Sequence, residues 1–126
     1  MARPHQEGLT ARESQIMDVL WTCGKSTVEE VRERLPVDLS GSSIRTLLAI
    51  MGEKGYVDFH KRGKAKVFRP LVAREQAQTS ALRALTQRLF KGSTNLVLAR
   101  LVEEEEISLE ELDELRRQIK LRSSGG

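Results

Sequence analysis

The sequence contains few cysteine, histidine and aromatic residues, and each shortage excludes a class of protein. A single cysteine, Cys23, excludes an internal disulfide bond, and with only two histidines the chain cannot form a zinc-finger pattern. Aromatic residues make up 4% of the 126 residues, so the core must consist of aliphatic side chains. No apolar run is long enough to span a membrane, and no apolar stretch follows Met1 as in a secretory signal. We therefore expect a cytoplasmic protein that does not insert into membranes.

The sequence also lacks the motifs that carry catalysis or hold a metal ion. It has no glycine-rich phosphate loop, nucleophile elbow or paired His–Glu motif. His5 and His60 belong to no cluster of ligands, and Cys23 has no histidine close to it in sequence. The acidic run 103–106 is typical of a solvated helix end. We therefore predict that the chain is not an enzyme and that it has no metal site and no cofactor.

The charge is distributed unevenly along the chain, although the net charge is only +3. Residues 1–70 carry 12 Lys/Arg and 9 Asp/Glu, whereas residues 71–126 carry 9 of each. The densest basic segment is 59–70, which has five basic residues and no acid, and residues 102–115 hold the densest acidic segment. The distribution points to a local contact with an anionic partner more clearly than the net charge does.

The first 70 residues show the pattern of three helices followed by a β-hairpin. Capping, glycine and proline signals bound the helices at residues 10–24, 26–36 and 39–55. The runs 56–60 and 66–69 are β-prone, and the connection 61–65 contains a glycine. The order predicts a mostly α fold with a small β-hairpin. We interpret residues 1–71 as a winged helix-turn-helix DNA-binding domain in which the hairpin is the wing.

From about residue 72 the sequence predicts helices only. Residues 73–90 contain no glycine or proline, and further helical patterns follow at 95–106 and from Ser108. The apolar residues occupy more than one helix face, which fits either packing on the first domain or contact with a second chain. We favour an all-helical dimerisation domain over residues 72–122, followed by a flexible tail at 123–126. The residues expected at the dimer interface are Leu85, Leu89, Leu98, Leu101, Leu112, Leu115 and Ile119.

The third helix begins with the residues that a helix-turn-helix protein would place in the major groove of duplex DNA. These are Ser42, Ser43, Arg45 and Thr46. Arg45 can bind guanine O6 and N7 with two of its guanidinium nitrogens, and the hydroxyls can bind phosphates or base edges. The alternative is that the serines only cap the helix and that Arg45 is a solvated surface residue. The position of Arg45 opposite the apolar stripe favours the DNA interpretation.

The wing carries the second set of candidate DNA contacts, Lys61, Arg62, Lys64 and Lys66. Cations around a glycine turn can lie along phosphates or enter the minor groove. The alternative is a charged hairpin whose lysines only protect a sheet edge. Together with the third helix, the wing predicts double-stranded DNA as the partner.

Several segments resemble the penicillinase and methicillin-resistance repressors, the BlaI/MecI family, which has a copper-sensing CopY branch. The likeness begins with Leu9-Thr10-Ala11-Arg12-Glu13 and ends its first block at Val19-Leu20-Trp21. It continues through 43–48, 54–57, the wing up to Phe68-Arg69-Pro70, and the acidic stretch 102–115. The order and spacing of these segments identify the chain as similar to that family over about residues 8–120.

The resemblance implies a sequence-specific transcriptional repressor that binds palindromic operator DNA as a homodimer. It assigns DNA contacts to the third helix and the wing, namely to Ser42, Ser43, Arg45, Thr46, Lys61, Arg62 and Lys64. The chain has Gly41-Ser42-Ser43 where family members often have Pro-Lys-Thr, and Arg45 where a glutamine is common. We therefore expect an operator sequence of its own. The alternative function is a winged-helix protein–protein interaction module that does not bind DNA.

The resemblance also implies how such a repressor leaves DNA. In the best-known branch, a membrane-embedded sensor metalloprotease triggers cleavage of the dimerisation domain at an Asn-Phe pair before the acidic run. Arg100-Leu101 stands at the matching place here, so the cleavage region carries different residues. The copper-sensing branch ends in paired cysteines, which this sequence lacks, so copper sensing is not expected.

Overall fold

The structure, a computed structural model, describes residues 8–125. Residues 1–7 and Gly126 lie outside the described residues. Residues 1–7 include His5 and the segment that is expected to lack a secretory signal. Within 8–125 the elements follow the order α1 (Ala11–Cys23), β1 (Ser26–Thr27), α2 (Val28–Arg34), α3 (Gly41–Lys54), β2 (Val57–Arg62), β3 (Ala65–Pro70), α4 (Arg74–Phe90), α5 (Thr94–Glu103) and α6 (Leu109–Gly125). The elements confirm the predicted fold class: three helices, a β-hairpin and then helices only.

Local capping fixes where the first two helices begin. The Thr10 hydroxyl accepts the Glu13 backbone N–H, and a Glu13 carboxylate oxygen accepts the Thr10 N–H at 2.8 Å, which confirms the predicted capping box of α1. Thr27 and Glu30 form the same arrangement at the start of α2. Gly24 ends α1 with a φ of 81°, a positive value that glycine adopts without a Cβ penalty.

The sheet has three antiparallel strands in the order β1-β3-β2. β2 and β3 form the wing, and their register pairs Phe59 with Phe68 and Lys61 with Lys66. The sequence interpretation missed β1, whose two residues pair with Val67 and Phe68. A strand this short has no local signal because its pairing partner lies about forty residues away.

The core of the helix-and-wing part is aliphatic, as the low aromatic content predicts. Its fully buried side chains are Ile16, Met17, Leu20, Val31, Ile44, Leu48 and Met51. Trp21 lies at the edge of this core, and its indole N–H donates to the Val72 carbonyl at 2.8 Å. The Arg74 guanidinium lies over the Trp21 ring and binds Asp18 at 2.8 Å, so the first turn of α4 packs on α1.

A buried ion pair joins the beginning of α1 to the end of α3. Glu13 is 2% exposed, and its carboxylate accepts Lys54 Nζ at 2.8 Å in addition to the Thr10 N–H. Burial by itself would raise the pKa of Glu13, but the hydrogen bonds from Lys54 and Thr10 outweigh it and hold the pKa below its ordinary value. Lys54 also donates to the Gly8 carbonyl at 3.1 Å. The capping box was predictable from sequence, whereas its lysine partner 41 residues away was not.

The chain divides into two compact units, Met1–Ala81 and Leu82–Gly126. Their boundary lies inside α4, beyond the boundary predicted after residue 71, because the first turns of α4 pack on α1 and on the first unit's core. In the second unit, a capping box joins Ser108 to Glu111 before α6. α6 includes residues 123–125, which the sequence assigns to a flexible tail.

Candidate nucleic-acid interface

The N-terminus of α3 presents the first group of candidate DNA contacts. Ser40 is the N-cap, and its hydroxyl accepts the Ser43 backbone N–H at 3.1 Å. Ser42 and Ser43, which the sequence suggested as capping residues, therefore lie inside the first turn of the helix. Ser40 therefore satisfies the Ser43 N–H, and the remaining N–H groups of the first turn lie at the helix end, where a phosphate is favoured.

The side chains of this group are all exposed, on the side of α3 away from the core. Ser42, Arg45 and Thr46 follow at helical spacing, and Ile44 and Leu48 are fully buried on the other side. Thr46 Oγ1 donates to the Ser42 carbonyl at 3.0 Å, so its proton is already used within the helix. Within residues 8–125, Arg45 makes no hydrogen bond or ion pair, which leaves its donors available for a base edge.

The wing presents the second group on two strands and a short loop. Lys61 and Arg62 lie on β2, Lys66 lies on β3, and the connection is only Gly63-Lys64, shorter than the predicted 61–65. Gly63 has a φ of 63°, as the first residue of a type II′ hairpin turn requires. All four cations are exposed. They do not share one face, because alternation along β2 puts Lys61 and Arg62 on opposite faces of the sheet.

Lys61 and Lys66 are direct cross-strand partners on the same face. Like charges directly opposite each other in a sheet are destabilising. An anion between them removes that cost. The pair therefore does not stabilise the hairpin through its charges.

Arg69 is neutralised by a partner that the sequence interpretation did not identify. It pairs with Asp58 across the sheet through two hydrogen bonds, of 2.6 and 3.0 Å. The hydrogen bonds from Arg69 hold the pKa of Asp58 below its ordinary value. The basic character of the wing therefore comes from the four cations nearer its tip.

A groove lies between α3 and the wing, and three of the candidate DNA contacts line it. Arg45 comes from α3, and Lys64 and Lys66 come from the wing. The groove encloses about 860 Å³, and we call it the α3–wing groove. Phe59 also lines it, with Lys66 Nζ 4.5 Å from the centre of its ring. Sequence reasoning missed Phe59, although an aromatic residue two positions before a lysine on a wing strand was a usable signal.

The apolar residues predicted at a dimer interface are accessible in the single chain. Leu112 is partly buried, and the other six are at least 39% exposed. Among residues 82–123, the only buried side chain is that of Thr86, which donates to the Leu82 carbonyl at 2.8 Å. This part of the second unit therefore has no apolar core of its own.

The predicted cleavage region lies inside α5. Arg100 is exposed and binds Glu103 at 2.8 Å, and Leu101 is 41% exposed. None of the residues of α5 is buried. Both residues of this bond are therefore exposed, and the bond itself lies in a helical backbone.

The described part of the chain has neither a cluster of metal ligands nor a helix that could span a membrane. Within residues 8–125, no three His, Cys, Asp or Glu side chains come together as a metal ion would require. No helix of the same range has the length and apolar content needed to cross a membrane.

The chain matches a family model, curated proteins and a solved structure. A family model described as "Penicillinase repressor" matches residues 9–121. The methicillin resistance regulatory protein MecI of Mammaliicoccus sciuri is 26% identical over 110 residues, covering 86% of this chain and 89% of that protein. The penicillinase repressor of Bacillus licheniformis is 26% identical over 105 residues, covering 82% of each chain. A crystal structure of an ArsR family transcriptional regulator aligns with a TM-score of 0.47 and 21% identity, covering 68% of this chain and 84% of that chain.

Proposed function

The chain belongs to the penicillinase repressor family and is a DNA-binding transcriptional repressor, and from this premise we propose that it acts in the cytoplasm as a homodimer on palindromic operator DNA. The family gives the class of function. The DNA-contacting residues, the dimer and the mode of release are the parts that we infer from the chain itself.

We propose that α3 reads bases and that the wing binds the backbone. The observation that carries this assignment is the set of exposed cations on both elements, with Arg45, Lys64 and Lys66 lining one groove. Arg45 has free donors for guanine, while Lys61 and Lys66 face each other without an acid and favour a phosphate. Ser42, Ser43, Thr46 and Arg62 complete the interface.

The homodimer is supported by the accessible apolar residues of the second unit. Ten large apolar residues from Leu82 to Leu121 are at least 38% exposed. A monomeric protein rarely leaves a large apolar patch in water, and a second copy supplies a matching apolar surface through two-fold symmetry. Such a dimer presents two α3 helices, which suits an operator made of two half-sites.

Release from DNA is proposed to follow cleavage near Arg100 and Leu101, by a pathway that begins at a membrane-embedded sensor metalloprotease. α5 has ten residues and none of them is buried, so local unwinding of this helix costs little packing energy. Unwinding would extend the backbone for a protease. A cut here would separate α6, with Leu112, Leu115 and Ile119, from the remainder of the interface.

A gel-shift titration over a salt series tests the DNA-binding residues. The DNA is the region upstream of the chain's own gene, and the variants are Lys61→Ala/Lys66→Ala and Lys120→Ala/Arg122→Ala. The first variant removes two wing cations and should flatten the log–log salt slope by about 0.9 for each lost phosphate contact. The second removes two exposed cations of α6 and should leave the slope unchanged.

The same titration decides between the proposal and a protein–protein interaction module. Binding that is absent, or that does not respond to salt, would favour the interaction module. An equal loss of slope in both variants would remove the wing from the interface. Mass spectrometry of the chain after exposure to the inducing condition tests release, and a break outside α5 would contradict the proposed cleavage region.

A further inference from the structure

We propose that the α3–wing groove binds a small aromatic carboxylate, and that its occupation lowers the affinity for DNA. The effect on DNA rests on the proposed DNA contacts, whereas binding of the ligand does not. The groove is within the first unit, between α3, the start of α2 and the wing.

The size and walls of the groove are those of a small-molecule site. Sites of this kind enclose roughly 300–1,000 Å³ and are mostly apolar with a few polar groups. The groove encloses about 860 Å³, and its apolar lining includes Leu48 and Ala49 of α3 and Phe59 and Ala65 of the wing. Apolar side chains do not contribute to binding the DNA backbone, because phosphates bind cations and N–H donors.

Phe59 and Gly52 indicate that the proposed ligand contains an aromatic ring. Phe59 is 45% exposed and packs at an inclined angle on Phe68, with ring centres 5.4 Å apart. A third ring can pack beside Phe59 in the same offset manner. Gly52 has no side chain to fill the groove, and a Cβ built there would meet Val57 O at 3.7 Å, an ordinary contact. A flat ring can therefore lie against the backbone of α3.

The charges that line the groove indicate that the proposed ligand carries a single carboxylate. Arg45, Lys64 and Lys66 are the cations, and the acids are Glu29, Glu53 and Asp58, of which Asp58 is already bound by Arg69. Arg45 and Glu53 are eight residues apart on α3, or about 12 Å along its axis. A carboxylate at the Arg45 end gains a bidentate partner, while a second anionic group near Glu53 would be repelled.

The link to DNA binding is the guanidinium of Arg45. A carboxylate bound there occupies the donors that the proposed function assigns to guanine. Losing one bidentate arginine–guanine contact lowers the affinity for the correct site about 5- to 140-fold. We expect a loss of operator affinity in that range when the groove is filled.

Titration of the ¹⁵N-labelled full chain, followed by NMR, tests ligand binding without DNA. The probe is 2-naphthoate, and its neutral and cationic analogues are 2-naphthamide and 2-naphthylmethylamine. We expect shifts centred on the groove residues and a Kd of about 1 mM or below for naphthoate. The amide and the amine should bind more weakly. Shifts centred on the exposed leucines of the second unit, or stronger binding of the amine, would overturn the proposal.

Matched variants assign the binding to the groove. Gly52→Leu fills it and Phe59→Ala removes the packing ring, and each should weaken naphthoate binding at least about tenfold. Gly8→Leu makes the same glycine substitution where a Cβ meets nothing within 4 Å, and should leave binding unchanged. Unchanged binding in both groove variants would refute the site.

Gel shifts with saturating naphthoate then test the coupling. Binding of naphthoate in the groove without any change in operator affinity would overturn the regulatory part of the proposal alone. A chain that binds naphthoate but no DNA even without the ligand would contradict the proposed function and not the groove.

Discussion

Replacing Lys54 by methionine should destabilise the first unit by about 3 kcal/mol at neutral pH. The substitution keeps most of the side-chain volume and removes the cation that binds the 2%-exposed carboxylate of Glu13. Removing one partner of a buried ion pair typically costs about 3–5 kcal/mol, because the remaining charge is left in a poorly solvated place.

The protonation of Glu13 limits this cost and makes it depend on pH. In the variant, burial is no longer offset by Lys54, so the pKa of Glu13 rises above its ordinary value of 4.5. Protonating a carboxyl group whose ordinary pKa is 4.5 costs about 1.4 kcal/mol for each pH unit above 4.5, or about 3.4 kcal/mol at pH 7. The same cost is about 0.7 kcal/mol at pH 5. The native chain behaves in the opposite sense, since its lowered pKa stabilises the fold above the ordinary pKa and that contribution is lost as the pH falls.

Urea unfolding at pH 7 and pH 5, followed by Trp21 fluorescence at one protein concentration, measures both values. Trp21 reports on the first unit because its indole binds Val72. Lys25→Met is the control, since Lys25 is exposed and its loss should change stability by less than about 0.5 kcal/mol. A variant that loses the same free energy at both pH values would refute the role of the Glu13 charge, and a loss below about 1 kcal/mol would refute the buried pair as a whole.

Three further changes test the interface, the dimer and the capping of α2. Arg45→Ala should relax base preference at one operator position, worth roughly 1–3 kcal/mol, and an unchanged preference in a binding-site selection would contradict this. Leu115→Asp should weaken a symmetric dimer about 100-fold or more, because the change is made twice, and sedimentation of an undiminished dimer would refute it. Thr27→Ala should cost about 1 kcal/mol by removing the N-cap, and thermal unfolding with no loss would show that the cap does not stabilise α2.

Features set by neighbouring residues could be predicted from sequence. The capping boxes at Thr10 and Ser108, and the glycine at the end of α1, need only three or four residues to form, and the structure has each of them. The fold class followed from their order. The family match agrees with the resemblance identified from the short motifs.

Features set by distant residues could not be predicted. Asp58 neutralises Arg69 only because the register of the hairpin puts them opposite each other. The α3–wing groove needs α3 and the wing to be placed in three dimensions before Arg45 and Lys66 lie on one surface. The register of β2 and β3 also decides that Lys61 faces Lys66, which the list of basic residues alone did not reveal.

The opposed lysines of the wing make the free repressor sensitive to the kind of salt around it. Because Lys61 and Lys66 repel each other, small anions from the buffer should gather between them before any DNA arrives. Those anions must leave when a phosphate takes the position, in addition to the cations that leave the DNA. The apparent affinity therefore depends on which anion is displaced, and we expect weakly held glutamate to give tighter DNA binding than chloride at equal ionic strength.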